Sequence, residues 1–313
     1  MYDKSDPRAS LAAPKGGAQF GTTQMPASIC RYYQDSPVDD DANGRGWYTR
    51  GQNLVVHWIE AKPGAAFTRT AQVDEYMVVV PDDDTPYEAT ANGESVRGEG
   101  HQLLIVPPGD SKISLPKGGR IARIFSTQSP DLNAKCSNAA TYAQPDPSHP
   151  PFKPWPAPPA GYKLRQYELQ RGERAPGQIG PMWRCTTIML SFPPVSRRAR
   201  DATKLSPHSH YDFDQCSLIF EGNYIHHLRW PWSSNKHEWR ADEHIEIGSP
   251  SVTIIPARVI HTSEAQAPGP KGNRMADIFA PPRLDFSLKE GLVRNADEYP
   301  IPEESLQGEP TKR

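Results

Sequence analysis

Between Trp47 and Phe125 the chain runs in short apolar stretches: NLVVHWIEA, EYMVVV, HQLLIVPP and RIARIF, divided by PG, PDDD, NG and PPGD. Short β-branched and aromatic runs bounded by turn formers predict strands rather than helices. Residues 144–162, QPDPSHPPFKPWPAPPAGY, are too rich in proline for helix or sheet interior and predict extended polyproline geometry. The strand-like pattern then returns in CTTIMLSF, QCSLIFEG, YIHHLRW, SVTIIP and RMADIF. Residues 1–28 read as an arm or loop, and LDFSLKEGLV, after about Pro282, as a short helical patch before a polar end. The expected organisation is a first domain over 1–143, a Pro-rich linker over 144–160, and a second domain with its tail over 161–313.

The two halves resemble each other. PKGGRIARIF starts at Pro116 and PKGNRMADIF at Pro270, with seven of ten positions identical and an offset of 154. Thr68-x-Thr70-x4-Glu75 aligns with His208-x-His210-x4-Gln215 at offset 140, and Pro107 to Lys112 with Pro256 to His261 at offset 149. An offset that only grows fits loop insertions in the second copy. A tandem repeat of one all-β domain is expected.

Composition narrows the partners. Pro is 34 of 313 residues, about twice the usual share of roughly 5%, which disfavours a helical bundle. Lys plus Arg is 35 against 37 Asp plus Glu, so no basic excess exists for nucleic acid. The apolar runs fall far short of the roughly 20 residues of a membrane span, and MYDKSDPRAS has no apolar leader core. Cys30, Cys136, Cys185 and Cys216 show no zinc-type spacing. They read as reduced thiols of a cytoplasmic protein, with one disulfide as the alternative.

The chemistry concentrates in PHSHYDFDQCSLIFEG and in IIPARVIH, whose His261 lies 39 residues beyond Gly222. On a strand, positions i and i+2 face the same way, so His208 and His210 aim at one point. After a short turn, Gln215, Ser217 and Ile219 share the inward face of the returning strand. Three imidazoles and a carboxamide from neighbouring strands make a metal site; imidazole suits Zn, Cu, Fe and Ni, and an oxygen ligand suits harder ions such as Mn.

This pattern resembles the cupin family. The family's first motif, HxH, three or four residues, Glu, six residues and Gly, reads here as His208-Ser-His210-x4-Gln215-x6-Gly222. The second, Gly-x5-Pro-x-Gly-x2-His, reads as Pro250-x5-Pro256-Ala-Arg258-x2-His261. Gln215 thus replaces the family's Glu, and Pro250 and Arg258 replace glycines, which puts the turn before His261 in question. Both halves match the frame, so the resemblance implies a bicupin: two tandem jelly-roll β-barrels, commonly a homodimer. In the first half Thr68, Thr70 and Lys112 replace the histidines and only Glu75 remains. Protonated Lys and weakly ligating Thr hydroxyls do not hold a transition metal, so one divalent ion per chain is expected: Fe(II) first, with Mn, Ni or Zn as alternatives.

Three neutral His and a neutral Gln leave the ion's charge uncompensated, which favours a small anionic, oxygen-rich substrate. Three activities fit. The first is a dioxygenase acting on an enolate, diol or carboxylate. The second is a Lewis-acid lyase, isomerase or decarboxylase of a hydroxy, keto or sugar acid, which needs a separate base. The third is a non-enzymatic storage or small-molecule-binding bicupin. Tyr211 and Arg258 flank the motifs and are the catalytic candidates, Tyr211 as a base and Arg258 as a bidentate carboxylate clamp or else a plain turn residue. Asp212 and Asp214 read first as turn residues bonding their own backbone, with a base or an alternative metal ligand as the second reading. His226, His227, His237 and His244 read as solvated or hydrogen-bonded, and Trp230 and Trp232 as packing of the long excursion between the motifs. PKGG and PKGN lack the frame of a phosphate loop and read as hairpin turns.

Overall fold

A computed structural model of the chain describes residues 24–146, 149–174, 179–233 and 235–303. Most of the expected N-terminal arm therefore lies outside the described residues. Eleven strands precede the Pro-rich segment: β1 Ser28–Cys30, β2 Asp39–Asp41, β3 Gly44–Arg50, β4 Leu54–Ala61, β5 Ala65–Gln72, β6 Tyr76–Val80, β7 Tyr87–Ala91, β8 Glu94–Gly98, β9 Gln102–Val106, β10 Gly109–Leu115 and β11 Gly119–Ser126. Nine follow it: β12 Arg165–Glu168, β13 Met182–Arg184, β14 Met189–Ser191, β15 Gln215–Glu221, β16 Tyr224–Arg229, β17 Glu243–Ile247, β18 Ser251–Ile255, β19 Ile260–Ala265 and β20 Arg274–Phe279. Between them, residues 149–164 form neither helix nor strand. The helical patch shrinks to one turn, α2 Leu284–Ser287, the other α-helix being α1 Pro130–Lys135. Among the described residues no helix is long and apolar enough to cross a membrane.

Each half is a jelly roll of two facing antiparallel sheets. The first pairs β12-β9-β6-β11-β4-β3-β2 with β5-β10-β7-β8; the second pairs β1-β18-β15-β20-β14-β13 with β17-β16-β19. The order shows an exchange across the Pro-rich segment. Strand β1 pairs with β18 of the later sheet, and β12 pairs with β9 of the earlier one.

Strands β4, β6 and β9 are buried along almost their whole length rather than at alternate positions. The reason is that their sheet is covered on both faces. Val55, Ile59, Tyr76, Val78, Val80, Leu104, Ile121 and Phe125 fill the first barrel. Their alternating neighbours Val56, Trp58, Met77, Val79, Ile105 and Ile124 share one core with Cys216, Leu218, Phe220, Val252, Ile254 and Ile278 of the second half. Trp58 meets Phe220 edge-on at 5.6 Å. Large aromatic side chains bury about 150–250 Å² each, so this seam is a second hydrophobic core rather than a loose contact. Arg120 reinforces it by pairing with Asp82 and, across the seam, with Glu221. All four cysteines are buried free thiols.

The inter-barrel core settles which face of β15 is interior. Cys216, Leu218 and Phe220 belong to the seam, so Gln215, Ser217 and Ile219 point into the second barrel.

Candidate metal centre

Two backbone links assemble the site. His208 and His261 form an isolated antiparallel bridge, with His208 N donating to His261 O at 3.0 Å and His261 N to His208 O at 2.8 Å. Arg258 N donates to His210 O at 2.5 Å, which ties the HxH segment to the turn before β19. Arg258 holds that turn with φ +71°, the left-handed region in which the family motif has glycine. The turn therefore forms with an arginine, at a backbone cost of about 1–2 kcal/mol. Gly222, by contrast, has no substitute: at φ +92° a Cβ there would lie 1.8 Å from Asn273 Oδ1.

The structure brings His208, His210 and His261 together, with candidate ligand atoms all within 4.8 Å of one another. His210 and His261 are buried; His208 is exposed at the rim. Gln215 lies between the two buried rings, its Oε1 3.1 Å from Nε2 of both His210 and His261. The amide orientation is fixed from behind. Gln215 Nε2 donates to Asp277 Oδ1 at 3.1 Å and to Ser217 Oγ at 3.2 Å, and Ser217 Oγ donates to the same Asp277 oxygen at 3.0 Å.

Tautomers follow from the carbonyls. Val259 O faces His261 Nδ1 at 2.9 Å, and Ser206 O faces His208 Nδ1 at 2.9 Å. A carbonyl only accepts, so each Nδ1 carries the hydrogen and each Nε2 is left with a bare lone pair. Burial drives the pKa of His261 down to about 4; for His210, burial and then the charge of Arg283 drive it to about 3. Both rings are neutral near pH 7. The Nε2 lone pair of His261 therefore faces the carbonyl oxygen of Gln215, acceptor against acceptor at 3.1 Å. A cation relieves that opposition, and the donor set of three imidazole nitrogens and one amide oxygen suits a divalent transition ion.

On the His210 side of the triad stands an aromatic collar. Phe213 stacks on His210 at 4.6 Å, and Phe279 meets it edge-on at 5.9 Å. Arg283 lies over Phe286, Phe279 and Phe213 at 3.7, 4.8 and 5.2 Å and pairs with Asp285 at 2.7 Å. Asp277 and Arg283 belong to the site although neither lies in a motif. Asp277 was findable, because it sits two residues from Phe279 on the inward face of RMADIF. Arg283 was not, because its place depends on the chain turning back after two prolines. Of the catalytic candidates, Tyr211 is 59% exposed on the turn after His210, and Arg258 is half-buried. Asp214 accepts from Gln52 N of the first barrel at 2.8 Å and pairs with His149 at 3.1 Å, so it is a joint between segments rather than a self-bonded turn residue.

In the first barrel the frame holds with one correction. Thr68 pairs with Lys112 as His208 pairs with His261. Glu75, however, is not the counterpart of Gln215. Met77 opposes Ile124 as Cys216 opposes Ile278, so Tyr76 takes the place of Gln215. Glu75 points out of the barrel and accepts from Thr186 N, Thr186 Oγ1 and Tyr299 Oη at 3.0, 2.9 and 2.8 Å. A one-residue slip in a strand flips a side chain to the other face.

No protein-family model matches the sequence, and no curated protein matches it. Solved structures do match in fold. An oxalate decarboxylase of Lactobacillus farciminis, in a formate complex, superposes with TM-score 0.53 at 14% identity, over 84% of this chain and 88% of that one. AerE from Microcystis aeruginosa gives 0.52 at 6% identity, over 80% and 98%, and the protein YlbA from E. coli 0.51 at 11%, over 87% and 96%. Two facing-sheet barrels in tandem, the HxH and His261 segments on adjoining strands, and these superpositions give one conclusion: the chain has the cupin fold, carried twice, as a bicupin.

Proposed function

We propose that the second barrel is a metal-dependent active site for a small anionic, oxygen-rich substrate, and that its reaction is a dioxygenation. The observation that carries the metal is the bare Nε2 of His261 held against Gln215 Oε1. His208, His210 and His261 would hold the ion, with Gln215 as fourth ligand or as the group that orients them; Fe(II) is the first choice and Mn, Ni or Zn the alternatives. When bound, such an ion supplies Lewis acidity and, for iron, redox chemistry with O2. The chain supplies the rest. Asp277 and Ser217 fix the amide, Val259 and Ser206 fix two ring tautomers, and the collar of Phe213, Phe279 and Phe286 keeps water from the reacting face. Arg283 adds positive charge beside the triad, which draws in an anion; Arg258 is the second candidate for that role.

The collar also bears on reaction class. The groups placed against His210 are phenylalanines and an arginine, and neither is a base at neutral pH. Acid–base chemistry would fall to Tyr211 or Asp212 on the turn after His210, or to His226, buried on β16 beside β19. Oxygen chemistry needs open positions and a dry wall instead, and this supports the dioxygenase reading over the lyase one. The decarboxylase reading draws on one observation, the fold shared with an oxalate decarboxylase. The test is substrate loss of candidate keto and hydroxy acids by the metal-loaded protein, followed with an oxygen electrode and CO2 detection. One O2 consumed per substrate supports dioxygenation. Unchanged turnover under argon with CO2 release overturns it in favour of decarboxylation. The protein is further expected to be a homodimer, which sedimentation at micromolar concentration checks.

A further inference from the structure

The first barrel carries a buried cation that the chemistry above does not use. Arg123 lies on the inward face of β11, at the place Asp277 takes on β20, and is only 5% exposed. Its Nε and Nη2 converge on one acceptor, His57 Nδ1, at 3.3 and 2.9 Å, while Nη1 has no partner among the described residues. Phe67 and Phe125 cover the guanidinium at 5.3 and 5.4 Å.

No carboxylate hydrogen-bonds to it among the described residues, and Asp39 acts on it only through space. Arg69 is a second cation and is bound to Asp131. Asp39 accepts from Tyr48 Oη at 2.6 Å and pairs with Lys135 at 3.0 Å, so its oxygens are already engaged. His57 is held neutral by burial and by Arg123 itself, and stacks on Tyr48 at 3.9 Å. A guanidinium stays charged in any protein interior, and an unpaired buried charge is strongly destabilising. The unmet atom is a donor, so the missing piece is an acceptor that carries negative charge.

We propose that the lumen of the first barrel binds one small carboxylate, of the size of formate or acetate, on Nη1 of Arg123 behind the Phe67 ring. The lining is closely packed, Tyr76 stacking on Phe125 at 4.5 Å and the Tyr76 and Ser111 hydroxyls lying 3.0 Å apart, so nothing larger than such an anion is expected to enter. The two barrels then both take anions, one through a metal and one through a built-in cation.

The test uses the full chain bearing His208→Ala and His261→Ala, so that the second barrel cannot answer. Thermal unfolding is followed against sodium formate, with sodium chloride at equal ionic strength as reference. Formate is expected to raise Tm with the logarithm of its concentration, as a ligand of the folded state does, and to leave chloride's smaller effect behind. Arg123→Gln, whose amide still offers His57 an N–H, is expected to abolish the difference. Arg123→Lys keeps the charge but loses the fork, and is expected to weaken formate binding at least tenfold. A formate effect no larger than that of chloride overturns the proposal and leaves water as the occupant. So does a formate effect that survives either substitution unchanged.

Discussion

Strands β11 and β20 share Arg, Ala, Ile and Phe, follow the same Pro-Lys-Gly turn and pair with matching neighbours, yet one turns Arg123 into its barrel and the other Asp277. The rest of each lumen follows that choice. Asp277 accepts from Ser217 and from the Gln215 amide, and so holds the amide oxygen of Gln215 towards the two buried imidazoles. Around Arg123 stand Tyr48, His57, Tyr76, Phe67 and Phe125, rings and hydroxyls that a cation tolerates. The comparison teaches that a repeat can keep its backbone register while inverting the sign of charge at its centre. A barrel that must admit a cation presents acceptors; a barrel that contains one presents rings and a free donor.

The largest expected effect tests whether only one barrel holds metal. His261→Ala removes a buried ligand and leaves two imidazoles, fewer than the three protein ligands usual for catalytic sites. Elemental analysis of protein purified anaerobically is expected to fall from about one transition ion per chain to about a tenth or less. Two ions per chain in the wild type would break the comparison, because Thr68, Lys112 and Tyr76 would then have to ligate.

The joint between the barrels differs from both interiors. His57, His210 and His261 are kept neutral by burial, but His149 is kept charged. Burial alone would lower its pKa; its hydrogen bonds to Asp146 and Asp214 and the charge on both outweigh that and raise it to about 9. A raised folded-state value means stability that is complete below about pH 6.5 and lost as pH climbs towards 9. Chemical denaturation is expected to show a loss on the order of 1–3 kcal/mol between pH 6.5 and 9. His149→Gln should flatten that limb. A limb that persists in the variant would place the titration elsewhere.

Much of this comparison was legible in the sequence. The apolar runs marked the strands, RIARIF and RMADIF marked the repeat, and His208, His210, Gln215 and His261 stood in one frame. Three things were not legible. The slip that makes Tyr76 rather than Glu75 the counterpart of Gln215 lies in one residue between Thr70 and β6, where spacing alone cannot choose a face. The exchange of β1 and β12 is a long-range pairing with no local signal. Arg283 reaches the triad only through the packing of Phe213, Phe279 and Phe286. Asp277 was a different kind of miss: its inward phase was readable, but a lone acid in an apolar strand draws less notice than a histidine pair.

Asp277→Asn sharpens the contrast at its origin. The side chain keeps its size but loses its charge, and its amide can turn a donor towards Gln215 Nε2. The Gln215 amide is then free to rotate and withdraw Oε1 from the imidazoles. Groups that orient metal ligands usually matter about 10–100-fold for affinity, and that loss is expected in a competition titration with a chromogenic chelator. Unchanged affinity would mean that Gln215 takes no part in holding the ion.

The smallest effect concerns the one place where the second barrel departs from its own motif. Arg258 sits at φ +71°, where a side chain crowds the backbone and glycine does not. Arg258→Gly relieves that crowding but also frees the unfolded chain, which offsets part of the gain. The net stabilisation is expected at about 0.5–1 kcal/mol, read from denaturant midpoints at unchanged m-value. If the guanidinium clamps the substrate carboxylate, the same variant raises KM for the anion while the fold tightens. If Arg283 alone serves the anion, stability rises and KM stays. A loss of stability would show instead that the Arg258 side chain secures the turn by contacts that outweigh its backbone strain, and the arginine would then be a structural replacement for the family's glycine.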